Sequence, residues 1–103
     1  MSPKSDGFKD FVLDQLGDLR NVTARAMFGG YGLYNRDTLF GIIHKDRLYF
    51  KVTSKTIDHY KDHGMKPFRP NARQTLKSFY EVPVDVIEDA EALTNWATQA
   101  VER

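Results

Sequence analysis

The middle of the chain holds three strand-like segments that are separated only by short turns. The segments 31–34, 39–44 and 48–52 are rich in aromatic and β-branched residues, and the turns 35–38 and 45–47 are polar. Asn and Asp in these turns tolerate the backbone angles that a tight reversal needs. Because parallel strands require a crossover of a dozen or more residues, connections this short predict an antiparallel meander.

Further elements flank this meander. Residues 22–28 predict a strand before it, and residues 75–82 predict a fifth strand that stops at Pro83. Between the meander and the fifth strand, residues 55–63 predict a short helix and residues 65–74 a loop that contains two prolines.

An amphipathic helix is predicted near each end of the chain. The first stops near residues 19–21 and the last follows residues 84–88, each with apolar residues at helical spacing. These are Phe8, Phe11, Val12, Leu16 and Leu19 in the first helix, and Leu93, Trp96, Ala97, Ala100 and Val101 in the last. The predicted order is α-β-β-β-β-α-β-α. A two-layer α+β fold, with helices on one face of an antiparallel sheet of about five strands, buries the apolar residues of both helices.

Length and composition restrict the class of protein. A chain of 103 residues suits one domain, 1–103, with its core at about 8–102. The chain has no cysteine, which excludes disulfides and thiolate nucleophiles. We expect a cytoplasmic protein without membrane contact, because its start lacks the apolar segment of a signal peptide and no apolar run reaches about 18 residues.

The residues that carry chemistry do not form a known catalytic pattern. His59 and His63 share a helix face, but Tyr60 stands where a zinc protease has its general base Glu. Gly29, Gly30 and Gly32 lead into a strand, whereas a phosphate-binding loop leads into a helix. We therefore expect no metal, no cofactor and no catalytic residues, with an enzyme of unknown type as the remaining alternative.

The sheet carries more aromatic residues than one helical layer covers. Tyr31, Tyr34, Tyr49 or Phe79 is expected on the face away from the helices. An exposed aromatic patch indicates a partner. The alternative is that the segment 65–74 folds over this face with Phe68 as a plug.

Charge suggests a second class of function, which is nucleic-acid binding. The net charge is only +1, but residues 44–77 contain nine basic and three acidic side chains. A sheet that interleaves Tyr49 with Lys51, near Arg25 and Arg47, has the residue types that stack bases and hold phosphates. This alternative stays open beside a protein-interaction function.

One segment closely resembles the sequence that opens the N-terminal domain of the TfoX (Sxy) competence regulators. This signature segment, residues 25–34, reads Arg-Ala-Met-Phe-Gly-Gly-Tyr-Gly-Leu-Tyr. Weaker landmarks follow in the family's order: Leu-Tyr-Phe-Lys at 48–51, Gly-Met-Lys-Pro-Phe at 64–68 and Tyr-Glu-Val-Pro at 80–83. The resemblance covers about residues 8–102.

The resemblance implies a fold similar to secretion chaperones, which often form dimers. TfoX regulators activate competence genes together with the cyclic-AMP receptor protein, so a transcription regulator is a possible partner. The chain is expected to be a stand-alone N-terminal domain, without the second, helical domain of full-length regulators. We expect a homodimeric protein-interaction module. Its signature and interface candidates are Arg25, Met27, Phe28, Gly29, Gly30, Tyr31, Gly32, Tyr34, Tyr49, Lys51, Pro67 and Phe68.

Overall fold

The computed structural model describes residues 4–27 and 29–101 as an antiparallel sheet with helices on one face. The helices are α1 (Lys4–Gln15), α2 (Ile57–Asp62), α3 (Val84–Ile87) and α4 (Ala90–Val101). The strands are β1 (Val22–Met27), β2 (Gly30–Asn35), β3 (Thr38–His44), β4 (Arg47–Lys51), β5 (Pro67–Asn71) and β6 (Gln74–Glu81). Their order in the sheet is β1-β2-β3-β4-β6-β5. The predicted α+β class is confirmed.

The sheet has six strands rather than about five, because the segment 65–74 is not a loop. It contains β5, which pairs with β6 at the edge of the sheet. Proline cannot donate a ladder hydrogen bond, so the two prolines of this segment favoured a loop. An edge strand tolerates proline, since one of its sides needs no partner.

The predicted meander is confirmed by the pairing of β1 to β4. The turn between β3 and β4 is two residues long, and both of its residues lie in the left-handed region, Lys45 at φ 52° and Asp46 at φ 61°. Such a turn matches the right-handed twist of the strands on either side. Arg36, in the turn between β2 and β3, has φ 57°.

The pairing of β2 with β3 contains a β-bulge. Leu33 pairs with Gly41 while the next residue, Tyr34, pairs with Leu39, so Phe40 is an extra residue on β3. This bulge lets Leu33 and Phe40 enter the same core, where both are fully buried.

The main core lies between the sheet and the helices. Val12 and Leu16 near the start of the chain, and Leu93 and Ala97 in α4, are buried against the sheet. α1 ends at Gln15, earlier than residues 19–21, because Gly and Asp at positions 17 and 18 are poor helix formers.

A second, smaller core lies on the opposite face of the sheet. It consists of the buried residues Ile42, Tyr49 and Phe68, with Met27, Leu76 and Phe79 packed against them. No helix residue in the described part of the chain contributes to this cluster.

Candidate interaction surface

A row of residues that lie opposite one another in four strands defines the face away from the helices. Arg25 pairs with Gly32, Gly32 with Ile42, and Ile42 with Tyr49. We call this side of the sheet the open face. Because side chains alternate along a strand, Thr23 and Met27 share this face with Arg25.

The open face has a half that the chain covers itself, which we call the covered half. Phe68 of β5 is fully buried, with its ring centroid 4.6 Å from that of Tyr49 and 5.3 Å from that of His44. Beneath it, Ile42 is 1% and Tyr49 9% exposed. Phe68 therefore covers this half, as the second sequence alternative expected, but it does so from a strand of the sheet and not from a loop folded over it.

Burial and nearby charges shift two ionisable groups of the covered half. Burial, assisted by Glu81, raises the pKa of Tyr49, and Arg47 partly opposes that rise. Arg47 also forms an ion pair with Glu81, with 3.1 Å between Nη1 and Oε1. Burial, with a contribution from Lys45, lowers the pKa of His44.

The other half of the open face, at β1 and β2, is not covered by Phe68, and we call it the open half. It comprises Thr23, Arg25, Gly32 and Tyr34, and Met27 lies at its border, where it packs against the cluster of Ile42, Tyr49 and Phe68. The Arg25 guanidinium lies 4.8 Å from the centre of the Tyr34 ring, within the range of a cation–π contact. Arg25 and Thr23 are exposed, and Met27 and Tyr34 are half-buried.

Two glycines of the signature segment permit close approach. A Cβ at Gly32 would lie 2.7 Å from the Met27 sulfur and 3.2 Å from Cε1 of Tyr34, so glycine lets both side chains close over the strand. A Cβ at Gly30 would overlap the backbone carbonyl oxygen of Ile43, which cannot move aside. These contacts give the two glycines a structural role.

The remaining signature candidates lie elsewhere. Tyr31 packs against the helix-side core, where Lys9 Nζ lies 4.9 Å from its ring centre, and not on the open face. Gly29 is in the β1–β2 turn at φ 76°, and Phe28 lies outside the described residues. Lys51 pairs with Phe79 at the border of the covered half. Pro67, in β5, is half-buried.

A groove that the sequence did not reveal lies between α1, α3 and the adjoining ends of β4 and β6. Its volume is about 400 Å³, and apolar and charged residues from α1, the β3–β4 turn, β4, β6 and α3 line it. The exposed hydrophobic residues Phe11, at 42%, and Val84, at 62%, belong to its lining. Phe11 was assigned to the buried stripe of the first helix, so its position as part of a groove wall was missed.

The histidine pair packs with an aromatic residue. The His63 ring lies 5.4 Å and the His59 ring 6.5 Å from the ring of Trp96, and His63 Nδ1 is 2.8 Å from the carbonyl oxygen of His59. Among residues 4–27 and 29–101, no group of three or more His, Asp or Glu side chains is arranged to hold a metal ion. Within the same residues, no helix is long and apolar enough to cross a membrane.

The basic residues of the segment 44–77 are spread over several elements. Lys45 is in the β3–β4 turn, Lys51 in β4, Lys61 in α2, Arg69 in β5 and Lys77 in β6. The charge excess of the sequence is therefore distributed over turn, helix and strand positions.

Comparison with known proteins assigns the chain to a family. The family model for the TfoX N-terminal domain matches residues 14–103. The chain belongs to the TfoX N-terminal domain family. It is also similar to DNA transformation protein TfoX1 of Aliivibrio fischeri, with 30% identity over 76 residues. That alignment covers 74% of this chain and 34% of the relative, so the chain spans about a third of the length of the curated relative it matches.

Proposed function

We propose that this chain is a non-enzymatic protein-interaction domain that pairs with a second copy and serves transcription regulation of the TfoX type. The proposal is based on the position of the signature residues on the open half. There the signature residues Arg25, Gly32 and Tyr34 lie together on a part of the sheet that neither the described helices nor Phe68 covers, and Met27 lies at its border.

The composition of the open half suits a protein partner. Met27 is a flexible side chain that adapts to a partner's shape, and Tyr34 has an apolar ring with a polar tip. Arg25, held over Tyr34, adds a charged group at the border. Tyrosine, methionine and arginine are enriched at protein interfaces.

The regulatory part of the proposal rests on the relative. The similar protein is described as a DNA transformation protein, and this chain corresponds to about a third of its length. The domain then acts by bringing together protein subunits, one of which is a transcription regulator.

Nucleic-acid binding through the segment 44–77 is the second candidate, and an uncharacterised enzyme is the third. The residue that would stack a base, Tyr49, is only 9% exposed beneath Phe68. This burial favours the protein-interaction proposal, because base stacking needs an accessible ring face.

Light scattering at several protein concentrations, in low and high salt, tests self-association. We expect a particle of twice the 11.9 kDa chain mass that persists in high salt, because Arg25 is the one charged residue of the open half and salt therefore weakens the contact little. Fluorescence anisotropy with labelled DNA and RNA oligomers, at low salt, separates the candidates. A monomer at all concentrations that binds these oligomers would reject the proposal in favour of nucleic-acid binding.

A further inference from the structure

The two edge strands of the sheet differ in how well they are protected against pairing. β5, at one edge, contains Pro67 and Pro70, which have no N–H group to offer a further strand. β1, at the other edge, spans six residues without proline and with Arg25 as its one charged residue. An unprotected edge presents a row of backbone donors and acceptors to another strand.

The backbone groups that β1 offers can be identified from the register. Residues of an antiparallel strand point their N–H and C=O groups alternately toward one neighbour and the other. Arg36 N–H donates to the Asn21 carbonyl oxygen at 2.9 Å, which places Asn21 among the residues that bond toward β2. It follows that Thr23 and Arg25 also bond toward β2. Val22, Ala24 and Ala26 then direct their backbone groups away from the sheet.

The side chains of β1 leave this edge accessible. Arg25 leans back across the sheet, because its guanidinium lies over the ring of Tyr34 on β2. Ala24 and Ala26 are small, and Ala26 and Thr23 are exposed. A second strand can therefore approach to the usual separation of about 4.8 Å without displacing a large side chain.

We propose that β1 pairs antiparallel with β1 of a second copy, centred on Ala24, so that two six-stranded sheets join into one continuous sheet. This inference rests on the self-association proposed above and places the contact between the two copies at the β1 edge, beside the open half rather than on its face. The free backbone donors and acceptors of β1 are complementary only to those of another strand. A two-fold axis at Ala24 allows β1 of each copy to be the partner strand of the other.

The register follows from hydrogen bonding and charge. Centring on Ala24 places Val22 opposite Ala26 of the second copy, so all three outward residues of each strand form hydrogen-bonded pairs. It also places Thr23 opposite Arg25 of the second copy. Moving the axis to Arg25 would set the two arginines directly opposite each other, where like charges destabilise a sheet.

Two substitutions at one exposed position test this register. Thr23→Glu puts a carboxylate opposite Arg25 of the second copy, twice per dimer, and Thr23→Arg puts like charges there. Light scattering is expected to show a dimer dissociation constant about tenfold or more lower for Thr23→Glu than for Thr23→Arg. Circular dichroism of both variants verifies that each is folded, and Lys77→Glu on β6 controls for a change in net charge.

Disulfide trapping tests the same register without relying on charge. The chain has no cysteine, so Ala24→Cys introduces a single thiol. Opposite residues of a hydrogen-bonded pair have Cα atoms about 5.5 Å apart, which is within disulfide reach. With oxidised glutathione as the oxidant, Ala24→Cys is expected to convert to covalent dimer at least tenfold faster than Ala72→Cys in the exposed β5–β6 turn.

The outcomes separate this inference from the function on which it rests. A dimeric parent protein whose Thr23 variants have equal affinity, and whose Ala24→Cys thiol does not cross-link faster than the control, would overturn the β1 pairing but leave self-association standing. A parent protein that stays monomeric at all concentrations would overturn both.

Discussion

At the β5 end of the sheet the chain covers its own open face, whereas at the β1 end no strand of the described residues pairs with the outer edge, and Thr23 and Arg25 on the face are exposed. Phe68 closes the covered half over Tyr49, and the strand that carries it has two prolines at the outer edge. The open half has a cation–π pair, a half-buried methionine at its border and an edge without proline. Both halves lie on one face of one sheet.

The difference shows where a partner is expected. Aromatic residues alone do not mark the interface, because the most aromatic part of the face is filled by the chain itself. Thr23 and Arg25 of the open half are exposed and are therefore available for association. Substitution of Phe68 in the covered half should therefore change the free energy of unfolding. Substitution of an exposed residue of the open half should instead change the particle mass in solution.

Phe68→Ala is expected to have the largest effect. It removes a fully buried ring and exposes Tyr49, so the free energy of unfolding should fall by about 3–5 kcal/mol. Urea unfolding measures this loss, and Arg69→Ala, at the exposed neighbouring position, serves as the control. A loss below about 1 kcal/mol would show that Phe68 does not hold the covered half together.

Gly32→Ala is expected to have an intermediate effect. Its Cβ would lie 2.7 Å from the Met27 sulfur, but that side chain is flexible, so we expect a loss of about 1–2 kcal/mol in unfolding experiments. The double variant Gly32→Ala/Met27→Ala should lose less than the sum of the two single variants, because the closest contact of the new Cβ is gone. Additive losses would mean that this contact does not explain the glycine.

Arg25→Ala is expected to change stability least among the three. An exposed cation–π contact contributes about 0.5–1 kcal/mol, so the free energy of unfolding should fall by no more than that. The dimer dissociation constant should also change, since Arg25 borders the proposed interface; Lys77→Ala is the matched control. A large loss of stability with unchanged mass would make Arg25 a residue of the fold rather than of the interface.

The covered half should also show a small pH dependence. Burial lowers the pKa of His44 below its ordinary 6.5, so just below pH 6.5 the unfolded chain binds more protons than the folded one. The free energy of unfolding should therefore fall as the pH drops from 6.5 through the lowered pKa, and His44 should contribute nothing above that window. Thermal unfolding of His44→Gln should lack this component. An identical pH profile for parent and variant would contradict the burial of His44 beside Phe68.

Much of the fold could be predicted from the chain, because its turns and periodicities are local. The short polar turns specify the meander, and the apolar stripes specify the first and last helices. The strand β5 was missed because proline indicates a loop unless the strand is known to be an edge. That knowledge requires the order of the whole sheet.

The site was predictable only in part. Tyr31 could have been assigned to the helix side, since it lies two residues from Leu33 and alternation gives them one face. The sequence does not decide whether a partner or Phe68 covers the aromatic face of the sheet, because the answer depends on where the distant segment 65–74 folds. The free edge of β1 likewise becomes visible only when the strand order is known.

The most direct test of the account is amide hydrogen exchange, followed by NMR at protein concentrations above and below the dissociation constant of the dimer. We expect the amides of Val22, Ala24 and Ala26 to exchange more slowly in the dimer, because pairing of β1 engages their outward N–H groups. Amides of β5 should exchange equally at both concentrations. Equal exchange of the three β1 amides in monomer and dimer would contradict the account and place the partner elsewhere.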